Sequence, residues 1–330
     1  MAPTDRQSRS RVAGVLTRTL ATRLISVLII LLIISFLTFS LVYLAPGDLV
    51  RTLIGNRPVN AETIAAVRAQ YRLDDPFFVR YFDWLWSAIR GDFGMSIRLQ
   101  QPVSEVLAAR LPFTGLLALL AFLVALVTAI PFGVLSAAHE GRFGDRAFSA
   151  AALVGLSAPS FAVAIVLLYV FAMLIPLFPV YGGGRGGLST LWHLTLPAIA
   201  LAIGIGAILQ RITRAAVLRE LQSDAVTFAR ARGLSEREVR RIALRGALIP
   251  IVTGAGLILT FMVGGTIIVE TVFALPGIGS LLQEAVFFKD LPVVQALTLV
   301  IAAVIAVITI AVDLSYLVLD PRVRAKELTR

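Results

Sequence analysis

Long uncharged apolar runs alternate along the chain with short charged connections. The first run covers the 24 residues between Arg23 and Asp48, which at about 1.5 Å per residue can cross about 30 Å of hydrocarbon. Similar gaps lie between Arg110 and Glu140, Arg146 and Arg185, Arg185 and Arg211, Arg245 and Glu270, and Asp290 and Asp313. Such runs are far too long for barrel strands, so the pattern predicts an all-α integral membrane helical bundle with six transmembrane helices.

Composition and charge agree with this prediction and orient the protein. The 330 residues are 58% hydrophobic and have a mean hydropathy of +0.88, too apolar for a soluble domain. An even number of spans places both termini on the same side of the membrane. Of the 30 Lys and Arg residues, 20 lie on that side. The positive-inside rule makes that side cytoplasmic, so we predict a multi-pass protein of the plasma (inner) membrane with cytoplasmic N- and C-termini.

The net charge of +10 reflects this topology. Because the basic residues are split among several loops, they favour contact with anionic membrane lipids over binding of nucleic acid. The chain has no cysteine, which excludes disulfides and thiolate metal sites.

Residues that could carry out catalysis are not apparent. A P-loop needs Gly-Lys-Ser/Thr, but the two lysines, Lys289 and Lys326, are followed by Asp290 and Glu327. No nucleophile and base stand in a recognisable arrangement. We therefore predict that the chain is not an enzyme and binds no cofactor. If transport is driven by ATP, the ATPase is another polypeptide.

A charged segment from Asp224 to Pro250 interrupts the apolar runs, and its spacing predicts two helices joined by a rigid turn. Gly233 suits the C′ position after a helix. Ser235 suits the N-cap of the next helix, with Glu238 completing a capping box and Leu234 at the position before the cap. A membrane protein with such a built turn is expected to dock a partner there. We call residues 224–250 the helix–turn–helix segment.

The residues from 46 to 104 form the largest predicted extracytoplasmic segment. Ala61–Tyr71 and Phe77–Arg90 suit two short amphipathic helices, and the aromatic residues Tyr81, Trp84 and Trp86 favour a place at the membrane interface for the second. The segment is interpreted either as a lid or docking platform for a substrate-delivering protein or as a packed connector. A later apolar stretch, Leu281–Phe288, is too short to span and indicates a re-entrant or interfacial turn.

Prolines and glycines mark expected breaks and contacts in the spans. Helices are expected to kink or end at Pro131, Pro159, Pro176 and Pro197. The fifth span is rich in small residues that favour close helix packing or a pore lining: Gly246, Gly254, Gly256, Gly264 and Gly265.

Two carboxylates lie near membrane depth, where charged groups are costly. Glu270 falls near the outer end of the fifth span and Asp313 near the inner end of the sixth, so they are not expected to form one proton relay. We expect Glu270 to accept hydrogen bonds from the turn near Gly277, and Asp313 to contact a neighbouring helix.

Four segments, in order, resemble one family. They are Leu44-Ala45-Pro46-Gly47-Asp48, then Ala229-Arg230-Ala231-Arg232-Gly233-Leu234-Ser235 with Leu248-Ile249-Pro250, then Val269–Phe273 with Pro276–Gly279, and finally Asp313–Tyr316 with Leu319–Arg324. Together they resemble ABC importer permeases of the dipeptide/oligopeptide/nickel transport family. One departure is Thr227, where the general pattern of the family's cytoplasmic coupling loop has Glu.

The resemblance implies one transmembrane permease domain over residues 1–330, with a cytoplasmic coupling loop at 219–249. Implied partners are a second homologous permease subunit, two cytoplasmic ATPase subunits that carry ATP and Mg, an extracytoplasmic solute-binding protein and membrane lipids. Peptides are the favoured substrate, with nickel complexes, glutathione and oligosaccharides as alternatives. The competing functions are an ion-coupled secondary carrier or channel, and a scaffold or insertase-like protein.

The family resemblance and the predicted caps of the turn together identify candidate residues for ATPase coupling and for gating. The expected ATPase-coupling residues are Ala229, Arg230, Ala231, Arg232, Gly233, Leu234, Ser235 and Glu236. The structural or gating candidates are Glu270, Gly277 and Asp313.

Overall fold

The computed structural model describes residues 5–44, 60–70 and 73–319. Within these ranges every regular element is helical, apart from an isolated bridge between Met95 and Pro102. The helices are α1 (Asp5–Leu44), α2 (Ala61–Gln70), α3 (Phe77–Ile89), α4 (Val103–Ala138), α5 (Phe143–Ser157), α6 (Ser160–Leu168), α7 (Gly187–Leu221), α8 (Asp224–Ala231), α9 (Glu236–Val272), α10 (Ile278–Phe287) and α11 (Leu291–Leu319). A π-helical turn, Tyr169–Leu174, continues α6.

Five of these helices are long and apolar enough to cross a membrane: α1 over Ala21–Ser40, α4, α7, α9 and α11 over Leu291–Ser315. The predicted third span is not one helix. It is a pair, Phe143–Ser157 and Ser160–Leu174, bent by 102°. The all-α membrane fold is confirmed, and the count reaches six when this bent pair is taken as one span.

Proline chemistry explains where the third span breaks. Pro159 has no N–H to donate and disfavours helical backbone at the residue before it. Ala158 accordingly takes an extended conformation with ψ 123°, and Pro159 becomes the N-cap of α6. By contrast, Pro197 does not end its helix, because α7 runs from Gly187 to Leu221 through it.

The described residues divide into two compact units. The first comprises the part of α1 up to Arg23, residues Gly115–Leu275, and the part of α11 from Val307. Its central helix is α7, which packs against α5, α6 and α9. The buried core of this unit is apolar and includes Leu117, Leu194, Leu201, Leu209, Ile258 and Met262.

Small residues let the helices of this unit approach closely. A Cβ added at Gly133 of α4 would lie 2.6 Å from Thr213 Cβ and 2.8 Å from Gln210 O of α7. One at Gly254 of α9 would lie 3.1 Å from two carbons of Ile212 on α7. The glycines of the fifth span therefore include helix-contact positions, as expected for membrane helices.

The second unit comprises Leu24–Thr114 and Pro276–Ala306. Its core is formed by Val103, Val106, Leu107, Ile278, Leu281, Ala285, Val293, Ala296 and Leu297. It contains both helices predicted in the extracytoplasmic segment, which are α2 and α3 in the structure. It also contains the short apolar helix α10, close to the stretch predicted from Leu281 to Phe288.

Asp290, 2% exposed, fastens a loop within this second unit. Its carboxylate accepts hydrogen bonds from Ser96 Oγ at 2.5 Å, from Ile97 N at 3.1 Å and from Arg98 N at 3.2 Å. Three donors satisfy a buried charge that would otherwise be costly. The loop that precedes α4 is thereby tied to the start of α11.

The Gly133 contact allows a controlled test of close packing. We expect Gly133→Ala to lower the melting temperature of the purified protein, because overpacking a tight contact costs about 1–3 kcal/mol. The matched control is Gly115→Ala on the same helix, where an added Cβ meets nothing within 4 Å. That change should be neutral or stabilise by up to about 1 kcal/mol. Equal effects of the two changes would contradict a close α4–α7 contact.

Candidate functional site

The turn of the helix–turn–helix segment is closed on its first side by Gly233. This residue has φ +76°, the left-handed region that favours glycine. Gly233 N donates to Arg230 O at 2.9 Å, and Leu234 N donates to Ala229 O at 3.2 Å. These two bonds form a Schellman motif, which satisfies carbonyls at the end of α8.

The second side of the turn is closed by a capping box. Ser235, with ψ 151°, is the N-cap of α9. Its backbone N donates to Glu238 Oε2 at 2.9 Å and its Oγ donates to the same oxygen at 2.7 Å. Caps on both sides leave the turn little conformational freedom.

An apolar cluster lies beneath the turn. Val226 and Ala229 of α8 are buried against Val239 and Ala243 of α9, and Leu234 packs on this cluster. Leu234, at the position before the cap, and Val239 in the first turns of α9 thus share one apolar cluster, as in a hydrophobic staple. The cluster holds the two helices as one unit.

The outer surface of the turn is polar, with one aromatic side chain. Phe228 of α8 is 69% exposed, and Arg230 Nε lies 3.3 Å from Glu236 Oε1 in an exposed ion pair. Most of the nominated coupling residues are exposed: Arg230, Ala231, Arg232, Gly233, Ser235 and Glu236. Ala229 is 5% exposed and belongs to the apolar cluster, so its side chain supports the turn from inside.

Phe228 was missed by the sequence analysis. The available signal was an aromatic residue within a short, mostly polar helix, but its exposure depends on how α8 packs. Thr227, the departure from the family pattern, is also exposed, and its Oγ1 donates to Ser223 O at 3.2 Å.

A cleft of about 420 Å³ adjoins the helix–turn–helix segment. Its charged lining residues are Glu140, Arg142, Arg230 and Arg240, so the lining carries a net positive charge. The ends of α4 and α7 contribute the apolar part of the lining, through Ala137, Ala138, Leu218 and Leu221. The cleft and the turn thus adjoin at Arg230, which belongs to both.

A buried ion pair joins α7 to the start of α5. Asp145, 5% exposed, accepts from Arg214 Nε at 2.7 Å and from Arg214 Nη2 at 2.8 Å. It also accepts from Ser136 Oγ at 2.6 Å and from Gly141 N at 3.0 Å. A bidentate pair with further donors is both strong and geometrically specific.

We call Asp145, Arg214, Ser136 and Gly141 the Asp145 clamp. It holds the end of α4, the connection after it and the start of α5 against α7. Since α7 ends at Leu221, close before α8 begins at Asp224, the clamp lies on the helix that leads into the helix–turn–helix segment. The sequence analysis did not select Asp145, because its partner is 69 residues away.

The three structural or gating candidates follow the helix–turn–helix segment in the sequence. Glu270 is 1% exposed, in the last turn of α9, and Gly277 is the N-cap of α10. Asp313 Oδ2 lies 3.0 Å from Arg23 Nε of α1, at ion-pair distance though not aligned as a hydrogen bond. Asp313 thus contacts a neighbouring helix, while the expected hydrogen bonds of Glu270 to the turn near Gly277 stay a prediction.

Comparison with known proteins defines the class. Residues 129–325 match the family described as the binding-protein-dependent transport system inner membrane component. Residues 16–118 match the N-terminal region of the same kind of membrane component. The chain belongs to this family and is a permease subunit of an ABC importer. Membership implies association with ATPase and binding-protein partners, and ATP hydrolysis resides in separate subunits.

Individual relatives agree with this assignment. The chain is 37% identical over 303 residues to the oligopeptide transport system permease protein AppB of Bacillus subtilis, covering 89% of this chain and 95% of that protein. It is 38% identical over 299 residues to a Brucella abortus protein with the name of a peptide transport system permease, with the same coverage.

A solved structure shares the fold. A chain of the MetNI methionine ABC transporter, in an inward-facing conformation, matches with a TM-score of 0.55 and 19% identity. The match covers 65% of this chain and 96% of that chain. Since the chain is shown to be an ABC importer permease, the alternatives of an ion-coupled carrier or a scaffold are set aside.

The Asp145 clamp generates a stability prediction. Asp145→Asn should destabilise the protein by about 3 kcal/mol, because Arg214 loses its counter-charge in a largely buried site. This is the low end for buried pairs, since 28% of the Arg214 side chain is exposed. The measurement is thermal unfolding of the purified chain.

Two variants serve as controls. Glu236→Gln breaks the exposed pair with Arg230 and should change stability by less than about 1 kcal/mol. The double variant Asp145→Asn/Arg214→Gln should be less destabilised than the sum of its single changes, because no charge is left unpaired. If Asp145→Asn lowered the stability of the protein no more than Glu236→Gln does, the ion pair of Asp145 with Arg214 would not be important for stability.

Proposed function

We propose that this chain forms half of the translocation pathway of a peptide importer. The other half would be a second, homologous permease subunit, and two ATPase subunits on the cytoplasmic side would hold the ATP and Mg. A solute-binding protein would deliver the substrate on the opposite side. The names of the relatives support peptides as the substrate class.

The observation that carries this proposal is the doubly capped turn around Gly233. Its backbone is fixed by the Schellman motif and the capping box, and its underside is packed. Such a surface can transmit force without deforming. We assign the docking surface to Phe228, Arg230, Arg232, Gly233 and Glu236, with Leu234 and Ser235 shaping the turn.

The character of this surface suggests how it binds. Phe228 offers a large exposed apolar group, the kind of side chain that anchors interfaces. The arginines of the turn and of the adjacent cleft would favour an acidic rim on the ATPase. Because Thr227 carries no charge, this docking would not use the carboxylate that the family pattern has at that position.

Force would travel along two continuous helices. From the turn, α9 runs unbroken from Glu236 to Val272 and ends in the turn that contains the buried Glu270. On the other side, α7 leads from the segment back to the Asp145 clamp. Closure of the ATPases on ATP would push the turn, and these helices would move as rigid bodies between inward-open and outward-open states.

The orientation belongs to the same proposal. Nine arginines occur from Arg211 to Arg245 inclusive, in and just before the helix–turn–helix segment. They support a cytoplasmic position for the segment and for both termini. The outer ends of α1 and α9 would then face the binding protein.

Docking can be tested at Gly233. A Cβ there meets nothing within 4 Å, so only the backbone conformation penalises a side chain. Gly233→Val should strain the turn by about 1–3 kcal/mol and reduce ATPase co-purification and ATP hydrolysis stimulated by loaded binding protein. Gly233→Asn is the matched control, because Asn tolerates the left-handed region. This variant should retain both ATPase co-purification and stimulated ATP hydrolysis. Normal ATPase binding and stimulation in Gly233→Val would refute the docking role.

Orientation can be tested with single cysteines, since the chain contains none. In intact cells, a membrane-impermeant thiol reagent should label Asn60→Cys but not Ser223→Cys. After the membrane is permeabilised, Ser223→Cys should also react, which shows that the thiol is accessible. Labelling of Ser223→Cys from outside would reverse the proposed orientation.

A further inference from the structure

Helix α3 has two apolar faces, and the described residues of this chain cover only one of them. On the inner face, Phe77, Tyr81 and Trp84 pack against α1. Their rings lie 5.4–5.6 Å from the Phe39 ring, and the rings of Phe77 and Tyr81 lie 5.9 and 5.4 Å from that of Phe36.

The outer face carries a row of large apolar side chains. Phe78 is 63% exposed, Phe82 62%, Trp86 57% and Ile89 69%. Their spacing of four, four and three residues places them on one side of a helix. Four such residues in a row form a contiguous apolar surface, which a soluble protein rarely leaves in water.

The contact with α1 fixes the depth of this surface. The Tyr81 hydroxyl lies 2.8 Å from Ser35 Oγ, and Ser35 is 1% exposed within the apolar span Ala21–Ser40. Ser35 is 12 residues beyond Arg23, about 18 Å along the helix. It therefore lies well inside a hydrocarbon layer about 30 Å thick.

We propose that α3 lies within the bilayer, in the leaflet where α1 ends, with Phe78, Phe82 and Ile89 among lipid acyl chains and Trp86 at the boundary between these chains and the headgroups. The surface is continuous with the exposed apolar side of α1, since Phe36, 38% exposed, touches Phe77, and Phe77 touches Phe78. Under the proposed orientation this is the outer leaflet. The partner of α3 is therefore lipid, and the docking-platform interpretation of this helix does not apply to this face.

The end of α3 suits the boundary between acyl chains and headgroups. The guanidinium of Arg90 lies 4.5 Å from the centre of the Trp86 ring. An indole prefers the membrane interface, and an arginine beside it can reach lipid phosphate. Arg80 and Asp83, the charged residues within α3, each have an interaction partner in the protein.

A spin label can identify what covers this face. Phe82→Cys would be labelled with a nitroxide in the complete transporter, using partner subunits without cysteine, in vesicles of phosphatidylethanolamine and phosphatidylglycerol. Collision rates would be measured with oxygen, which concentrates in hydrocarbon, and with a water-soluble nickel chelate. We expect frequent collisions with oxygen and rare collisions with nickel. Ile89→Cys is a second position should Phe82→Cys fail to assemble.

Two reference positions show which collision rates to expect in water and in the protein interior. Phe228→Cys, measured in the permease pair without ATPases, marks exposure to water, and Ala285→Cys, 3% exposed, marks burial in protein. A label at residue 82 that resembles the water reference would leave the face available to the binding protein. One that resembles the buried reference would place it against the second permease subunit. Either result would overturn the lipid assignment, and neither depends on whether the turn at Gly233 docks an ATPase.

Discussion

Close approach between helix backbones is the constraint on which the first compact unit depends. Lipid tails are as apolar as the side chains of a membrane helix, so helices gain little from hydrophobicity alone and must fit tightly. At Gly133 of α4 a methyl group would collide with α7, and at Gly254 of α9 it would crowd Ile212 of α7. This fit makes α7 the centre of the unit, and α7 leads directly into the helix–turn–helix segment.

Buried carboxylates supply the directional contacts that packing cannot. Asp145 and Asp290 each stand at the start of a helix, and each accepts a hydrogen bond from a serine hydroxyl. Each also accepts from loop backbone, Asp145 from one N–H group and Asp290 from two. A charge with several donors at good distance is stabilised, whereas one without them would be costly. Each contact therefore sets one particular arrangement of its loop, Asp145 in the first unit and Asp290 in the second.

Two kinds of surface then follow from the same fold. The helix–turn–helix segment has an apolar underside, a rigid backbone and a charged exterior with Phe228, features that suit contact with a protein partner in water. Helix α3 has aromatic residues on both faces and packs at the level of Ser35, features that suit lipid. What separates the two is their depth relative to the apolar spans, more than the hydrophobicity of any one residue.

The sequence alone determined the features that depend on neighbouring residues. Charge-free runs predicted the spans, and the spacing of Gly233, Ser235 and Glu238 predicted the capped turn, because span length and capping are local properties. The sequence located Pro159 but did not predict the 102° bend, because a proline removes a backbone hydrogen bond without fixing the direction of the helix that follows. Only the tertiary structure paired Asp145 with Arg214, exposed Phe228 and divided α3 into a covered and an uncovered face. Each of these depends on which distant segment packs alongside, and that is decided by the fit of whole helices rather than by any local pattern.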